Sequence, residues 1–191
     1  MTLILGLDIA TRTGFAYYDD QASLAAIRVG HIQCEGEEFE EKAAFLGRAL
    51  VRLIKADKPD FIIIERPIRA QPGGGGKRTM KFMGEEQQVE AKGSGLNAVI
   101  SSNQLVGAAS AIIGAYGIPF DTIASVSWRK AFLGFGTHKG WERKDWKKAA
   151  RDRCTQLKIK VTNDDQGEAV GIAFAGSGHD RVKMMKIGAA A

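Results

Sequence analysis

The sequence predicts an α/β fold: a mixed β-sheet flanked by helices on both faces. Two observations carry this. Three short strand-like runs follow one another near the N-terminus, close enough to form an antiparallel meander. After them, helical stretches alternate with short apolar runs, the order that builds a mixed sheet with helices packed on it. The chain has 191 residues, of which 45% are hydrophobic and 26% charged, an ordinary globular composition with enough length for one sizeable core.

The elements follow in order. Residues 2–8 read as a buried strand, Gly14 to Tyr18 as a second with Asp19 and Asp20 as a turn, and Ala25 to Gln33 as a third. In residues 35–59, Phe39, Ala43, Leu46, Leu50, Leu53 and Ile54 recur at three- and four-residue spacing, which predicts an amphipathic helix stopped by Pro59. The continuous apolar run of residues 61–65, FIIIE, suits a central strand buried on both faces. Residues of about 67–100 are rich in Gly and charge and have no long apolar stripe. They read as a mobile insertion with a short helical piece near Gly84 to Ala91. A helix is expected from Ser101, where Ser101 and Gln104 suit a capping box, and Gly117 and Pro119 end it. Residues 120–126 supply the fifth strand. A basic, aromatic-rich stretch then leads into a helix from about Lys144, and the last clear helix starts near Asn163. From His179 on there is little core-forming pattern. The expected organisation is one domain over residues 1–178 and a C-terminal tail over 179–191.

A net charge of +5 and a pI near 9.2 favour an anionic partner. Cys34 and Cys154 are far apart and lack metal-ligand spacing, so reduced thiols are expected rather than a disulfide framework or zinc site. There is no basic leader and no apolar run of membrane-spanning length, which predicts a cytoplasmic protein without a membrane partner.

The chemistry lies in the acids. Asp8 ends the first strand, Glu65 ends the buried fourth, and DDQGEA, residues 164–169, opens the last helix. Taken singly, an acid at a strand end marks the exit to solvent, and acids in a first helical turn serve the helix dipole. Jointly the pattern is more specific. Two central strands end in carboxylates, and Asp165 and Glu168, three residues apart, share one helical face. Clustered like charges need a counter-charge. All-oxygen ligands without His or Cys point to magnesium, with manganese as the alternative. Two such ions held by about four carboxylates can activate a water and stabilise the leaving oxygen in phosphodiester cleavage.

GLDIATRTGFAYY, FIIIERP and DDQGEAVGIAFA resemble, in order and at similar intervals, the three acidic motifs of the RuvC-type Holliday junction resolvases, within the RNase H-like nuclease superfamily. The resemblance spans most of the chain. It implies an RNase H-like fold, a five-stranded mixed sheet in the order 3-2-1-4-5. It also implies a metal-dependent endonuclease acting on four-way DNA junctions as a homodimer. By motif, Asp8, Glu65, Asp165 and Glu168 become the catalytic metal ligands, with Glu168 where family members usually carry Asp and Asp164 left open as a substitute for Asp165. GFGTHKGWERKDW, residues 134–146, is similar to the family's glycine-containing segment before a basic helix, which gives Lys144 the place of a lysine near the scissile phosphate. KFMGEE, residues 81–86, falls where the family carries an aromatic junction-probing residue, here Phe82, with Met83 beside it. The longer insertion QPGGGGKRT suits a divergent or phage-encoded member in a bacterial cell.

Two basic groups flank the proposed metal site and are expected to bind DNA phosphates: Arg66, Arg69, Lys77, Arg78 and Lys81 in the first, and Arg129, Lys130, Lys139, Arg143 and Lys147 in the second. Thr11 and Arg12, after the first strand, are further candidates. Trp128, Trp141 and Trp146 suit base stacking, with core packing expected for at least one. Competing readings are an RNase H-like nuclease acting on flaps or RNA–DNA hybrids, an actin-like ATPase or kinase fragment, and a non-catalytic junction-binding protein. The ATPase needs about twice this length, and the non-catalytic protein would lose the acids.

Overall fold

The structure is a computed structural model that describes residues 1–67, 77–82, 85–90 and 96–190. In chain order it contains β1 (Leu3–Asp8), β2 (Arg12–Asp19), a single 3-10 turn at Leu24–Ala26, β3 (Arg28–Gln33), α1 (Phe39–Ala56), β4 (Phe61–Glu65), β5 (Lys77–Phe82) and β6 (Glu85–Glu90). There follow α2 (Leu96–Ala115), β7 (Phe120–Ile123), α3 (Ser125–Leu133), α4 (Arg143–Gln156), α5 (Asp164–Ser177) and α6 (Asp180–Ala190).

Five strands form one sheet in the order β3-β2-β1-β4-β7. The first three pair antiparallel, while β1, β4 and β7 run parallel. This is the 3-2-1-4-5 order expected. Because side chains alternate along a strand, each central strand serves two cores. Ile4, Phe61 and Ile63 pack toward α3, α4, α5 and α6, against Trp128, Phe132, Ile172 and Val182. Leu5, Leu7, Ile62 and Ile64 pack toward α1 and α2, against Leu46, Leu50, Leu105 and Ile113. The same alternation assigns Asp8 and Glu65 to the α5 face. Leu7 is in register with Ile64, so the two acids end neighbouring strands side by side.

Helix α5 lies directly on β1 and β2. A Cβ at Gly6 would sit 2.5 Å from the Ala173 backbone nitrogen, a distance real side chains do not tolerate. Its start is held by Asn163, whose Oδ1 accepts from the Gln166 amide at 2.9 Å. Gln166 Oε1 in turn accepts from the Thr162 backbone and hydroxyl at 2.7 and 3.1 Å. Its amide lies 3.4 Å from His31 on β3, which fits the strand role expected for that histidine.

The structure departs from the sequence reading at five places. Helix α2 begins at Leu96, so Ser101 and Gln104 lie inside it and do not cap it; the stretch before Ser101, LNAVI, holds no Gly or Pro to stop the helix from starting earlier. The third strand starts at Arg28, with residues 24–26 in the 3-10 turn. The fifth sheet strand ends at Ile123, and Ser125 starts a helix rather than continuing the strand. The helical piece expected near Gly84 to Ala91 does not form over the described part of that stretch, residues 85–90. Residues 85–90 are a strand paired with β5 in a separate hairpin, whose register sets Lys77 opposite Glu90 and Lys81 opposite Glu86. The region from His179 on forms α6, anchored by fully buried Val182 and by an ion pair between Lys186 and Asp20. Among the described residues no helix is long and apolar enough to cross a membrane.

Candidate active site

The acids at the ends of β1 and β4 meet the first turn of α5. Carboxylate oxygens of Asp8, Asp165 and Glu168 all lie within 4.8 Å of one another. Asp8 is only 9% exposed and Glu168 5%. Burial pushes the Asp8 carboxyl well above the usual range, and the charges of Glu168, Glu65 and Asp165 and a hydrogen bond with Glu65 push it further. Burial also raises Glu168. Lys147 counters this, Glu65 adds to it, and Arg143 and Arg129 pull the other way.

Glu65 is held from behind. Its Oε1 accepts hydrogen bonds from the Ser125 hydroxyl and, at 3.1 Å, from the Trp128 indole nitrogen. Both donors belong to α3, three residues apart and therefore on one helical face. Trp128 is fully buried.

Lys147 on α4 reaches into the cluster. Its Nζ donates to Asp165 Oδ1 at 3.0 Å and lies 3.6 Å from Glu168 Oε2. Burial favours the neutral amine, but Asp165 and Glu168 outweigh it and raise the ammonium pKa. Lys144, expected beside the scissile phosphate, does not enter the site. Its side chain is 78% exposed and pairs with Glu142 in the first turn of α4, about one turn short of Lys147, which is the lysine that reaches the acids. Asp164 stays outside the cluster, paired with Arg151 at 3.0 Å and lying 4.0 Å from Lys147. Asp165 is the residue of that pair that joins the acid cluster.

A cleft of about 470 Å³ opens over the acids. Asp8, Glu65 and Glu168 line it together with Thr11, Arg66, Arg129, Arg143 and Ser125, and Ser101 and Ser102 of α2 form a further wall. Arg12 lies 3.9 Å from Asp165. Arg129 stacks on Trp146, its guanidinium carbon 4.6 Å from the ring centre. Lys130 and Lys139 are exposed outside the cleft lining. Lys77, Arg78, Lys81 and Phe82 sit on β5, where only the backbone placement is described, and Arg69 and Met83 lie outside the described residues. Trp128 and Trp146 are buried and unavailable for base stacking, and half-buried Trp141 packs against Phe135, His138 and Trp146. Sequence reasoning missed Ser125 and gave Trp128 base stacking or core packing but no contact with Glu65. Their three-residue spacing was visible, but its meaning depended on recognising α3.

The donor set suits a hard divalent cation: carboxylate oxygens alone, largely shielded from solvent, with Asp8 in no ion pair among the described residues. No family model matches the chain, and no curated protein matches it. Solved structures do. A Thermus thermophilus RuvC structure is similar over 95% of this chain and 96% of its own, at a TM-score of 0.62 and 13% identity. T. thermophilus RuvC in complex with a Holliday junction substrate is similar over 96% and 97%, with a TM-score of 0.66 and 13% identity. The yeast mitochondrial Holliday junction resolvase Ydc2 is similar over 90% and 77%, with a TM-score of 0.53 and 11% identity. Sheet order, helix placement and near full-length superposition together show that the chain has the RNase H-like fold in the form that RuvC takes.

Proposed function

We propose that this chain is a metal-dependent, structure-selective endonuclease that resolves four-way DNA junctions. One observation carries the reading: carboxylates from β1 and α5 converge within 4.8 Å, with Glu65 of β4 beside them, at the floor of a cleft walled by Arg66, Arg129 and Arg143. Asp8, Glu65, Asp165 and Glu168 would hold Mg2+, or Mn2+, as two ions in the full reading. When bound, such ions supply water activation and Lewis-acid stabilisation of the leaving oxygen.

The remaining work falls to the protein. Ser125 and Trp128 fix one oxygen of Glu65 and leave the other as its ligand atom. Arg66, Arg129, Arg143 and Thr11 meet strand phosphates along the cleft. Lys147 takes the role near the scissile phosphate that the family resemblance suggested for Lys144. The β5–β6 hairpin, with Phe82 and the basic residues around it, engages the branch point.

The functional unit is a two-fold homodimer, since cutting two opposed strands needs two sites related by such an axis. The outer groove between α1 and α2, lined by Ala43, Gly47, Val51, Ala108 and Ile112, offers an apolar surface for it. Sedimentation of a fully active monomer would refute this part.

The test is incubation of the purified protein with labelled four-way junction, flap, duplex and RNA–DNA hybrid in magnesium. Paired nicks in opposed junction strands are expected. Asp8→Asn, Glu65→Gln and Asp165→Asn should each abolish them while junction binding persists. Normal cleavage by all three variants would overturn the mechanism, and preferential cleavage of flap or hybrid would overturn the substrate.

A further inference from the structure

Lys147 stands where a cation is wanted. Its ammonium lies 3.0 Å from Asp165 and 3.6 Å from Glu168, two of the three carboxylates of the cluster, and its side chain is only 17% exposed. Lysine presents a compact point charge with three donors, so at this position it competes for the same oxygens a hard divalent cation would use. The other side of the site is different. Among the described residues no lysine or arginine forms an ion pair with Asp8 or Glu65.

The helix that carries Lys147 also explains how it can leave. Arg143, Lys147 and Arg151 follow at four-residue spacing and form one cationic stripe along α4. Arg143 lines the open cleft, Lys147 contacts the acids, and Arg151 holds Asp164. A phosphate drawn to Arg143 and Arg129 would arrive next to Lys147 and offer it an alternative anion.

We propose that Lys147 is a built-in counter-ion that keeps divalent metal weakly bound until DNA arrives. A strand phosphate then takes over its ammonium, and Asp165 and Glu168 are released to complete the metal site. The proposal rests on the metal-nuclease reading above and assigns one residue the coupling between substrate and metal. The coupling is reciprocal: junction raises metal affinity, and metal raises junction affinity by the same factor.

The experiment measures Mn2+ binding to the full chain by calorimetry and by metal-dependent melting, without DNA and with a cleavage-resistant phosphorothioate four-way junction. Lys147→Met should bind Mn2+ about tenfold more tightly than the wild type without DNA, since a like charge beside the ion is removed. Lys147→Arg, and Lys55→Met at the end of α1 as a charge control, should bind as the wild type does. Junction should raise wild-type Mn2+ affinity and leave that of Lys147→Met much less changed. Equal affinities for wild type and folded Lys147→Met overturn the counter-ion role and leave the nuclease reading standing. If Lys147→Met does not fold, the wild type alone decides, and a Mn2+ affinity unmoved by junction overturns the proposal. Absence of Mn2+ binding by every protein, with and without junction, overturns both this proposal and the nuclease reading.

Discussion

Gly14→Ala is the sharpest test of how the fold builds the site. Gly14 lies on β2 opposite Asp8, and above it runs the first turn of α5. A Cβ there would sit 2.0 Å from the Asp165 carbonyl oxygen and 2.4 Å from its carbon. Its φ lies outside the left-handed region, so alanine meets no backbone strain and the contact alone decides. Opening a 2.0 Å gap to the 3.4 Å at which ordinary contact begins withdraws the start of α5 by about 1.4 Å. The neighbour is backbone capped by Asn163 and cannot step aside as a flexible side chain would. Overpacking of this kind costs about 1–3 kcal/mol, and for a chain of this size each kcal/mol lowers Tm by about 2–4 °C. Function should fall further than stability, because a displacement of about 1 Å in a reacting constellation costs about 100-fold. The assay is single-turnover junction cleavage across a magnesium titration, with melting measured alongside. Gly114→Ala on α2, where an added Cβ meets nothing within 4 Å, is the control and should gain about 0.5–1 kcal/mol. Wild-type cleavage and melting by Gly14→Ala would refute the claim that α5 is seated against β2 through this contact.

Three further outcomes follow from the site. Asp8 is held above the ordinary aspartate value of 3.8, so its protonated form stabilises the fold fully below that pH. This contribution is lost as pH rises through the raised folded value. In chelator the Tm of the wild type relative to Asp8→Asn should therefore fall with rising pH, and saturating magnesium should cancel the fall; a pH-independent difference in chelator counts against it. Ser125→Ala removes one donor to Glu65 at a cost of about 1 kcal/mol and should raise the magnesium needed for half-maximal cleavage, while junction affinity stays unchanged. An unaltered magnesium dependence would show that Ser125 does not hold the ligand. Asp164→Asn should cleave within a few-fold of wild type while Asp165→Asn is inactive, since Asp164 faces Arg151 at the half-exposed edge; the reverse ranking in the same assay would reassign the ligand.

What could be read from the sequence divides by physics. The strands and their terminal acids were legible because apolar runs and the acids that end them are local signals, while the strand order, and with it the meeting of Asp8 and Glu65, came only from the family resemblance. The contact of Ser125 and Trp128 with Glu65 was not legible, because FDTIASV reads as one β-like apolar run and hides the start of a helix at Ser125. Lys144 and Lys147 differ by one helical turn, and the choice between them depends on where α4 starts. A capping box closes that start between Glu142 and Asp145, and the spacing E-x-x-D was present but weak as a signal. Helix α6 was missed because its anchors include a buried valine and an ion pair to Asp20 in the turn after β2, neither of which has a periodic signature.

The packing around the acids also explains how little shared sequence the fold needs. Three constraints bring four acids together, and each is modest in residue terms. Alternation along β1 and β4 puts Asp8 and Glu65 on the face that already carries Ile4, Phe61 and Ile63. Parallel pairing with Leu7 opposite Ile64 brings their strand ends level. Gly6 and Gly14 let α5 approach the sheet until its first turn reaches them. Most other core positions need only apolar side chains of suitable volume, which are widely interchangeable. Identity with the T. thermophilus RuvC structures can thus fall to 13% while the chains still superpose over nearly their whole length. The positions that resist exchange are the two close-contact glycines, the acids and the α3 donors that aim Glu65. Ser125 acts only through a carboxylate, so substitution there should disturb metal dependence before it disturbs the fold, the opposite order from substitutions in the apolar layer at Ile63, Leu7 or Trp128 itself, which is fully buried.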